Sequence, residues 1–181
     1  MSQGFPESGV EAGCTSRAII ALGSNLSGEF ASRVDLLEAA LSLFSEAGLP
    51  VVRRSSWWRS SAWPDPSRND YLNGVAIVEA RMSPEATLQR LLEIEQRFGR
   101  RRCGRNADRT LDLDLIDHSG RVLETAALRL PHPRAHERRF VMAPLAEIAP
   151  DWRHPQLGAA AWALAACATV GRDASPALSD G

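Results

Sequence analysis

Two carboxylates alternate with leucines in residues 109–116, whose sequence is RTLDLDLI. Successive side chains of a β-strand point to opposite faces, so the three leucines share one face while Asp112 and Asp114 share the other, roughly 7 Å apart. Neighbouring carboxylates repel each other, and without a cation one of them would hold a proton through a raised pKa. Mg²⁺ is typically bound by one or two carboxylates together with substrate phosphates. The pattern therefore predicts a magnesium site.

Arginines crowd the segment just before these carboxylates. They are Arg97, Arg100, Arg101, Arg102, Arg105 and Arg109. Guanidinium groups bind phosphates in a bidentate manner, so arginines, carboxylates and magnesium together suit a polyphosphate. Each pattern also has an ordinary interpretation, since Asp-x-Asp occurs on exposed sheet faces and arginine runs occur in solvated loops. Their adjacency favours the functional interpretation.

The composition bounds the class of protein. The 181 residues suit a single domain, and a net charge of −1 argues against bulk attraction to nucleic acid or membrane. All 21 basic residues are arginine, which excludes a P-loop lysine and a lysine Schiff base. Three isolated cysteines support neither a disulfide framework nor a zinc ribbon. With no export signal or membrane-length apolar run, we expect a cytoplasmic protein.

The hydrophobic periods predict an α+β fold. We expect a disordered lead-in over residues 1–16, one catalytic domain over 17–170 and a loose tail over 171–181. Strands are predicted over 17–22, 51–59, 71–80, the aspartate segment and 121–124, and helices over 33–47, 84–98, 140–148 and 159–167. The order strand, helix, strand, strand, helix, strand is that of a ferredoxin-like antiparallel sheet (split βαβ) with helices packed on one face.

One helix carries an acid on its apolar face. Leu88 and Leu91 lie on the apolar face of this predicted helix, and Glu95, seven residues after Leu88, lies on the same face. A carboxylate is therefore expected in a buried position. A buried acid needs partners.

Together these motifs resemble the 6-hydroxymethyl-7,8-dihydropterin pyrophosphokinases of folate synthesis. The resemblance covers residues 17 to about 152 and is carried by Gly23-Ser24-Asn25-Leu26, Asp70-Tyr71-Leu72-Asn73, Glu95, Gly99-Arg100, Arg109-Thr110-Leu111-Asp112-Leu113-Asp114, Pro131-His132 and Arg138-Arg139-Phe140. It implies transfer of the terminal pyrophosphoryl group of ATP to the pterin hydroxymethyl oxygen, leaving AMP, with two Mg²⁺ ions. ATP and the pterin are thus the expected partners of a monomer that binds neither nucleic acid nor membrane.

The resemblance also assigns residues on the nucleotide side. Asp112 and Asp114 are the expected magnesium ligands, and Arg100 and Arg109 are expected to face the triphosphate, all four in catalytic roles. His132, Arg138 and a supporting Glu95 complete this side. For His132 the alternative is turn packing between prolines, and for Arg138 it is a solvated position.

A second group of residues is expected to bind the pterin. This flat, neutral ring system needs aromatic faces and an amide that can donate and accept. Asn73 would read its edge between Tyr71 and Phe140, with backbone groups near Ser60 and Trp63 completing the pocket. The two aromatic residues could instead be ordinary core residues.

Two loops depart from the family pattern. Asn106-Ala107-Asp108 stands where many members have Trp-Gly-Pro, and Ser60-Ser61-Ala62-Trp63-Pro64 replaces an entry containing Pro-Pro. The family tryptophan helps to seal the closed site, so here closure has to differ, using Trp63 or an arginine of the loop.

Two other classes of protein compete with this interpretation. An RNA-binding module could use the same fold, but no RNP-type aromatic strand is visible and the aspartates would repel a phosphate backbone. A regulatory ligand-binding domain would leave the arginines and aspartates unexplained.

Overall fold

A computed structural model describes residues 16–62, 65–99 and 110–177, which form an antiparallel sheet between two layers of helices. A short 3₁₀ helix spans Ala135–Glu137. The strands and helices are β1 Arg17–Ser24, α1 Arg33–Ser42, β2 Val51–Arg54, β3 Trp58–Ser60, β4 Tyr71–Glu79, α2 Pro84–Arg97, β5 Asp112–His118, β6 Leu123–Glu124, β7 Arg129–Leu130, α3 Arg139–Ile148, α4 Ala161–Cys167 and β8 Ser175–Pro176.

The main sheet has the strand order β5-β1-β4-β3-β8, with β2 also paired to β4. Every pair in it is antiparallel, and β1 lies between β4 and β5. Helix α1 follows β1 and helix α2 follows β4, as a split βαβ order requires. The predicted α+β class is confirmed. None of the described helices has the length and apolar character needed to cross a bilayer.

Helices cover both faces of the sheet. On one face α1 and α2 pack on a core that includes Ile20, Leu91 and Leu113. On the other face α3 and α4 pack on a core that includes Ile19 and Met142. Our expectation of helices on one face is therefore wrong. The physical reason is that β1 and β4 are apolar on both faces, so each face needs a cover.

Side-chain caps begin the first two helices as the sequence predicts. The hydroxyl of Ser32 accepts a hydrogen bond from the backbone N–H of Asp35 at 3.1 Å. The hydroxyl of Ser83 accepts one from Ala86 at 3.2 Å, and Pro84 occupies the first position of α2. These contacts satisfy backbone donors that the first helical turn leaves without partners.

Three local predictions are wrong. The predicted strand over 51–59 divides into β2 and β3, because the hydroxyl of Ser55 accepts from the N–H of Val75 at 3.0 Å and interrupts the ladder. The predicted return strand over 121–124 is only β6, which pairs with β7 and not with β5. In the segment expected to be loose from residue 171, β8 pairs with β3 at the sheet edge.

A histidine is buried at the end of β5. His118 is only 1% exposed. Burial lowers its pKa, and the positive charge of Arg121 lowers it further. The neutral form is therefore the one that the fold accommodates.

We expect His118 to make the free energy of unfolding depend on pH. Its pKa is lower in the folded chain, so its contribution is complete above the unfolded value of about 6.5 and is lost as pH falls through the folded pKa. Urea unfolding between about pH 8 and pH 5 measures the dependence. His118→Gln should show a shallower loss of stability than the wild type, and equal slopes would contradict this assignment.

Candidate active site

Three neighbouring strands place an amide, a glycine and a carboxylate in one row. Gly23 of β1 lies opposite Asn73 of β4 on one side and opposite Asp112 of β5 on the other. Residues directly opposite each other in antiparallel strands project from the same face. Asn73 and Asp112 are thus separated by two strand spacings, roughly 10 Å, with no side chain between them.

This row is the floor of a cavity of about 290 Å³. Its walls come from the loop after β3, the start of β4, the start of β5, and the segments around α3 and residue 170. The lining residues are Ala21, Leu22, Gly23, Ser60, Ser61, Ala62, Asp65, Arg68, Tyr71, Asn73, Asp112, Asp114, Arg134, Arg138, Phe140, Val141 and Val170. The volume suits a small-molecule ligand, and the lining combines aromatic, amide and charged groups.

The two aspartates lie on the face that the alternation predicts. The leucines between and beside them, Leu113 among them, belong to the core under α1 and α2, whereas Asp112 and Asp114 line the cavity on the other face. Nη1 of Arg138 donates to Oδ2 of Asp114 at 3.4 Å. The same oxygen is 4.0 Å from Nε2 of His132. Burial lowers the pKa of His132 despite the nearby carboxylate, which favours the neutral imidazole.

The carboxylate pair fits a hard cation that also binds substrate. The described residues contain no cluster of three or more His, Cys, Asp or Glu side chains able to hold a metal. Two oxygen-donor side chains leave most positions of an octahedral ion to water and phosphate, which is how Mg²⁺ is usually held. Asp112 and Asp114 are therefore the residues that would hold such an ion here.

Glu95 supports the strand that carries the aspartates. It is fully buried in α2, and its Oε1 accepts a hydrogen bond from the backbone N–H of Leu113 at 2.7 Å. Leu113 lies between Asp112 and Asp114, so this contact holds the backbone of the pair. Glu95 is not among the described residues that line the cavity. Two residues before Asp112, the hydroxyl of Thr110 donates to the carbonyl of Phe98 at 2.8 Å, next to the end of α2.

An amide and two aromatic rings line the other part of the cavity. Nδ2 of Asn73 donates to the hydroxyl of Ser60 at 3.0 Å, and both side chains are buried. This bond orients the amide. Tyr71 and Phe140 line the same cavity. The guanidinium carbon of Arg138 is 5.8 Å from the centroid of the Phe140 ring, so one arginine contacts both the aromatic and the acidic parts.

The structure brings most of the predicted site residues together. Of those proposed from the sequence, Ser60, Tyr71, Asn73, Asp112, Asp114, Arg138 and Phe140 line one cavity, and His132 lies beside Asp114. Arg100, Arg109 and Trp63 fall outside the described residues. The individual roles of all these residues stay predictions.

Sequence reasoning missed several lining residues. Arg134 lies four residues before Arg138 in an arginine-rich segment, a spacing that could have indicated it. Asp65 and Arg68 belong to the polar loop before β4, where loop residues give no periodic signal. Val170 reaches the cavity from the segment that the sequence predicts to be the end of the domain.

Comparison with known proteins gives consistent matches. The sequence model of the 7,8-dihydro-6-hydroxymethylpterin-pyrophosphokinase (HPPK) family matches residues 19–150. A 2-amino-4-hydroxy-6-hydroxymethyldihydropteridine pyrophosphokinase from Synechocystis sp. is 46% identical over 142 residues, covering 78% of this chain and 70% of the relative. A protein of the same name from Haemophilus influenzae is 39% identical over 135 residues, covering 74% of this chain and 82% of the relative.

Solved structures show the same fold. A crystal structure of wild-type Plasmodium falciparum HPPK-DHPS with pteroate has a TM-score of 0.66 and 12% sequence identity. The match covers 84% of this chain and 44% of the other, so this chain spans less than half the length of that protein.

Proposed function

Because this chain belongs to the 7,8-dihydro-6-hydroxymethylpterin-pyrophosphokinase family, we propose that its cavity is where pyrophosphate passes from ATP to the pterin. The chain is an ATP-dependent pyrophosphokinase of folate biosynthesis. It transfers pyrophosphate to the hydroxymethyl group of 6-hydroxymethyl-7,8-dihydropterin and gives AMP and the pterin diphosphate.

The acidic part of the cavity is assigned to the triphosphate. Asp112 and Asp114 would hold Mg²⁺, in two ions, and the metal would neutralise charge on the phosphate oxygens. The Arg138 contact with Asp114 supports this side, because a guanidinium beside the carboxylate can bind phosphate oxygens next to the metal. Arg100, Arg109 and the neutral His132 are assigned to the same triphosphate.

The amide and aromatic part is assigned to the pterin. Asn73, oriented by Ser60, would read the edge of the ring, while Tyr71 and Phe140 would contact its faces. Trp63 is assigned to the same pocket. We assign the amide oxygen of Asn73 to the pterin edge, since the amide nitrogen already donates to Ser60.

The rate of this reaction depends more on alignment of the pterin hydroxyl with the β-phosphate of ATP than on proton transfer. The hydroxymethyl oxygen forms a bond to the β-phosphorus of ATP, the bond from that phosphorus to the α-phosphate oxygen breaks, and the hydroxyl proton passes to solvent. Phosphoryl-type transfer owes most of its rate to positioning and electrostatic stabilisation. We assign Arg138, whose Nη1 lies 3.4 Å from Oδ2 of Asp114, to balancing the charge that moves onto AMP.

One observation carries this assignment: the row Asn73, Gly23, Asp112 across three adjacent strands. The row separates the Asn73 amide from the Asp112 carboxylate by about 10 Å, which supports assigning the pterin to one side and the metal-bound phosphates to the other. A single chain supplies both sides, which supports a monomeric enzyme. ATP as co-substrate supports a cytoplasmic reaction.

The test is AMP formation from ATP and Mg²⁺ with and without 6-hydroxymethyl-7,8-dihydropterin. We expect AMP only when the pterin is present, in a 1:1 ratio to pterin diphosphate. Omission of Mg²⁺ should abolish the product. Tight binding of the pterin without AMP from a well-folded protein would instead favour a ligand-binding domain.

A further inference from the structure

The segment 168–177, which we call the C-terminal strap, runs along the edge of the cavity outside the residues that the family model matches. Its backbone is held at both ends. The N–H groups of Thr169 and Val170 donate to the carbonyl of Glu137 at 3.0 and 2.9 Å, and the N–H of Ala177 donates to the carbonyl of Trp57 at 2.8 Å. The strap thus joins the 3₁₀ helix before α3 to the residue that precedes β3.

One acid of the strap binds the loop that forms the cavity wall. Oδ2 of Asp173 accepts a hydrogen bond from the backbone N–H of Ser61 at 2.6 Å. Burial raises the pKa of Asp173, but the N–H and the hydroxyl of Ser61 lower it more, so the carboxylate is charged. Ser61 lines the cavity beside Ser60, the residue that accepts from the Asn73 amide.

A glycine of the strap packs on the aromatic wall. A Cβ added to Gly171 would lie 2.5 Å from Cδ1 of Phe140, and the φ angle of Gly171 is +64°. Only glycine combines that close approach with that backbone conformation. The neighbouring Val170 lines the cavity itself. The strap therefore contacts both walls assigned to the pterin: the loop at Ser60 and the ring of Phe140.

We propose that Asp173 is a positioning residue for the pterin, holding the loop at Ser61 in place so that Ser60 orients the amide of Asn73. This inference rests on the proposed function of the cavity. Asp173 does not line the cavity among the described residues, and it acts through the Ser61 N–H. Its effect should therefore appear in pterin binding and leave ATP binding alone.

Steady-state kinetics of Asp173→Ala tests the proposal. We expect the KM for the pterin to rise about fivefold, because a charged hydrogen bond to the loop is lost, while the KM for ATP stays within about twofold. Asp173→Asn should restore part of the loss, since its amide oxygen still accepts from Ser61. If Asp173→Ala does not fold, Asp173→Asn decides alone, with an expected rise of about threefold.

Two further variants separate the possible outcomes. Asp151→Ala removes an exposed acid that is not among the described lining residues, and it should match the wild type. Asn73→Ala tests the pterin site itself. The positioning role is overturned if Asn73→Ala raises the KM for the pterin but the Asp173 variants do not. It is also overturned if the Asp173 variants raise the KM values for the pterin and for ATP equally. If Asn73→Ala leaves the pterin KM unchanged, the proposed pterin side is wrong and the inference fails with it.

Discussion

Asp114→Asn should lower kcat for pterin-dependent AMP formation by about 10³-fold or more, because the variant keeps the volume of the side chain but loses the charge that we propose holds the metal. The change also removes the negative partner of Arg138, whose Nη1 is 3.4 Å from Oδ2 of Asp114. The loss should persist at saturating ATP, and excess Mg²⁺ should recover only part of it. Quenched assays of AMP at several Mg²⁺ concentrations measure the effect.

The control for this experiment is Asp151→Asn, the same chemical change at an exposed position. It should leave kcat unchanged. Asp114 is partly exposed, with a side-chain exposure of 35%, so its replacement should leave the thermal midpoint within a few degrees of wild type. A folded Asp114→Asn protein with kcat within tenfold of wild type would rule out the assigned metal site.

Asn73→Ala should raise the KM for the pterin by about 10- to 100-fold with little change in the KM for ATP. A site built to hydrogen-bond a ligand loses much of its affinity when one partner is left without its bond. The variant removes both the amide oxygen offered to the ligand and the Nδ2 bond to Ser60. Isothermal titration with the pterin and steady-state kinetics give the two constants.

Asn69→Ala is the matched control for this second experiment, since Asn69 is exposed and is not among the described lining residues. Ser60→Ala should give a smaller rise than Asn73→Ala, because it frees the amide without deleting it. Equal increases in the KM values for ATP and the pterin would indicate general disruption of the cavity and contradict the assignment of Asn73.

Local patterns predicted much of the fold. Alternation of period two located Asp112 and Asp114 on one face of β5, and the caps at Ser32 and Ser83 begin their helices as expected. The alternation and the capping pattern each depend on residues only a few positions apart in the sequence. The sequence shows that β1 and β4 are apolar on both faces. It does not show which helices pack on the second face, because those contacts join residues far apart in the sequence.

The residues of the candidate site also differ in whether the sequence predicts them. Residues within the recognised motifs, such as Tyr71 and Phe140, could be named from the sequence and line one cavity. Val170 and Asp173 could not, because the hydrogen bonds that hold them, with Glu137 and with Ser61, join segments far apart in the sequence. The strand β8 that follows them pairs with β3. A two-residue strand in a polar segment carries no periodic pattern to predict.

The contacts around Glu95 have a consequence for the length of chain that can connect α2 to β5. The Glu95 carboxylate on the Leu113 N–H and the Thr110 hydroxyl on the Phe98 carbonyl join the end of α2 to the start of β5. Phe98 and Thr110, the described residues on either side of positions 100–109, are therefore held together by a direct contact. Closure entropy grows only slowly with loop length, by about 0.6 kcal/mol for each doubling. We therefore expect a change in the number of residues between Phe98 and Thr110 to cost little stability, provided that these contacts keep the carboxylate pair in position.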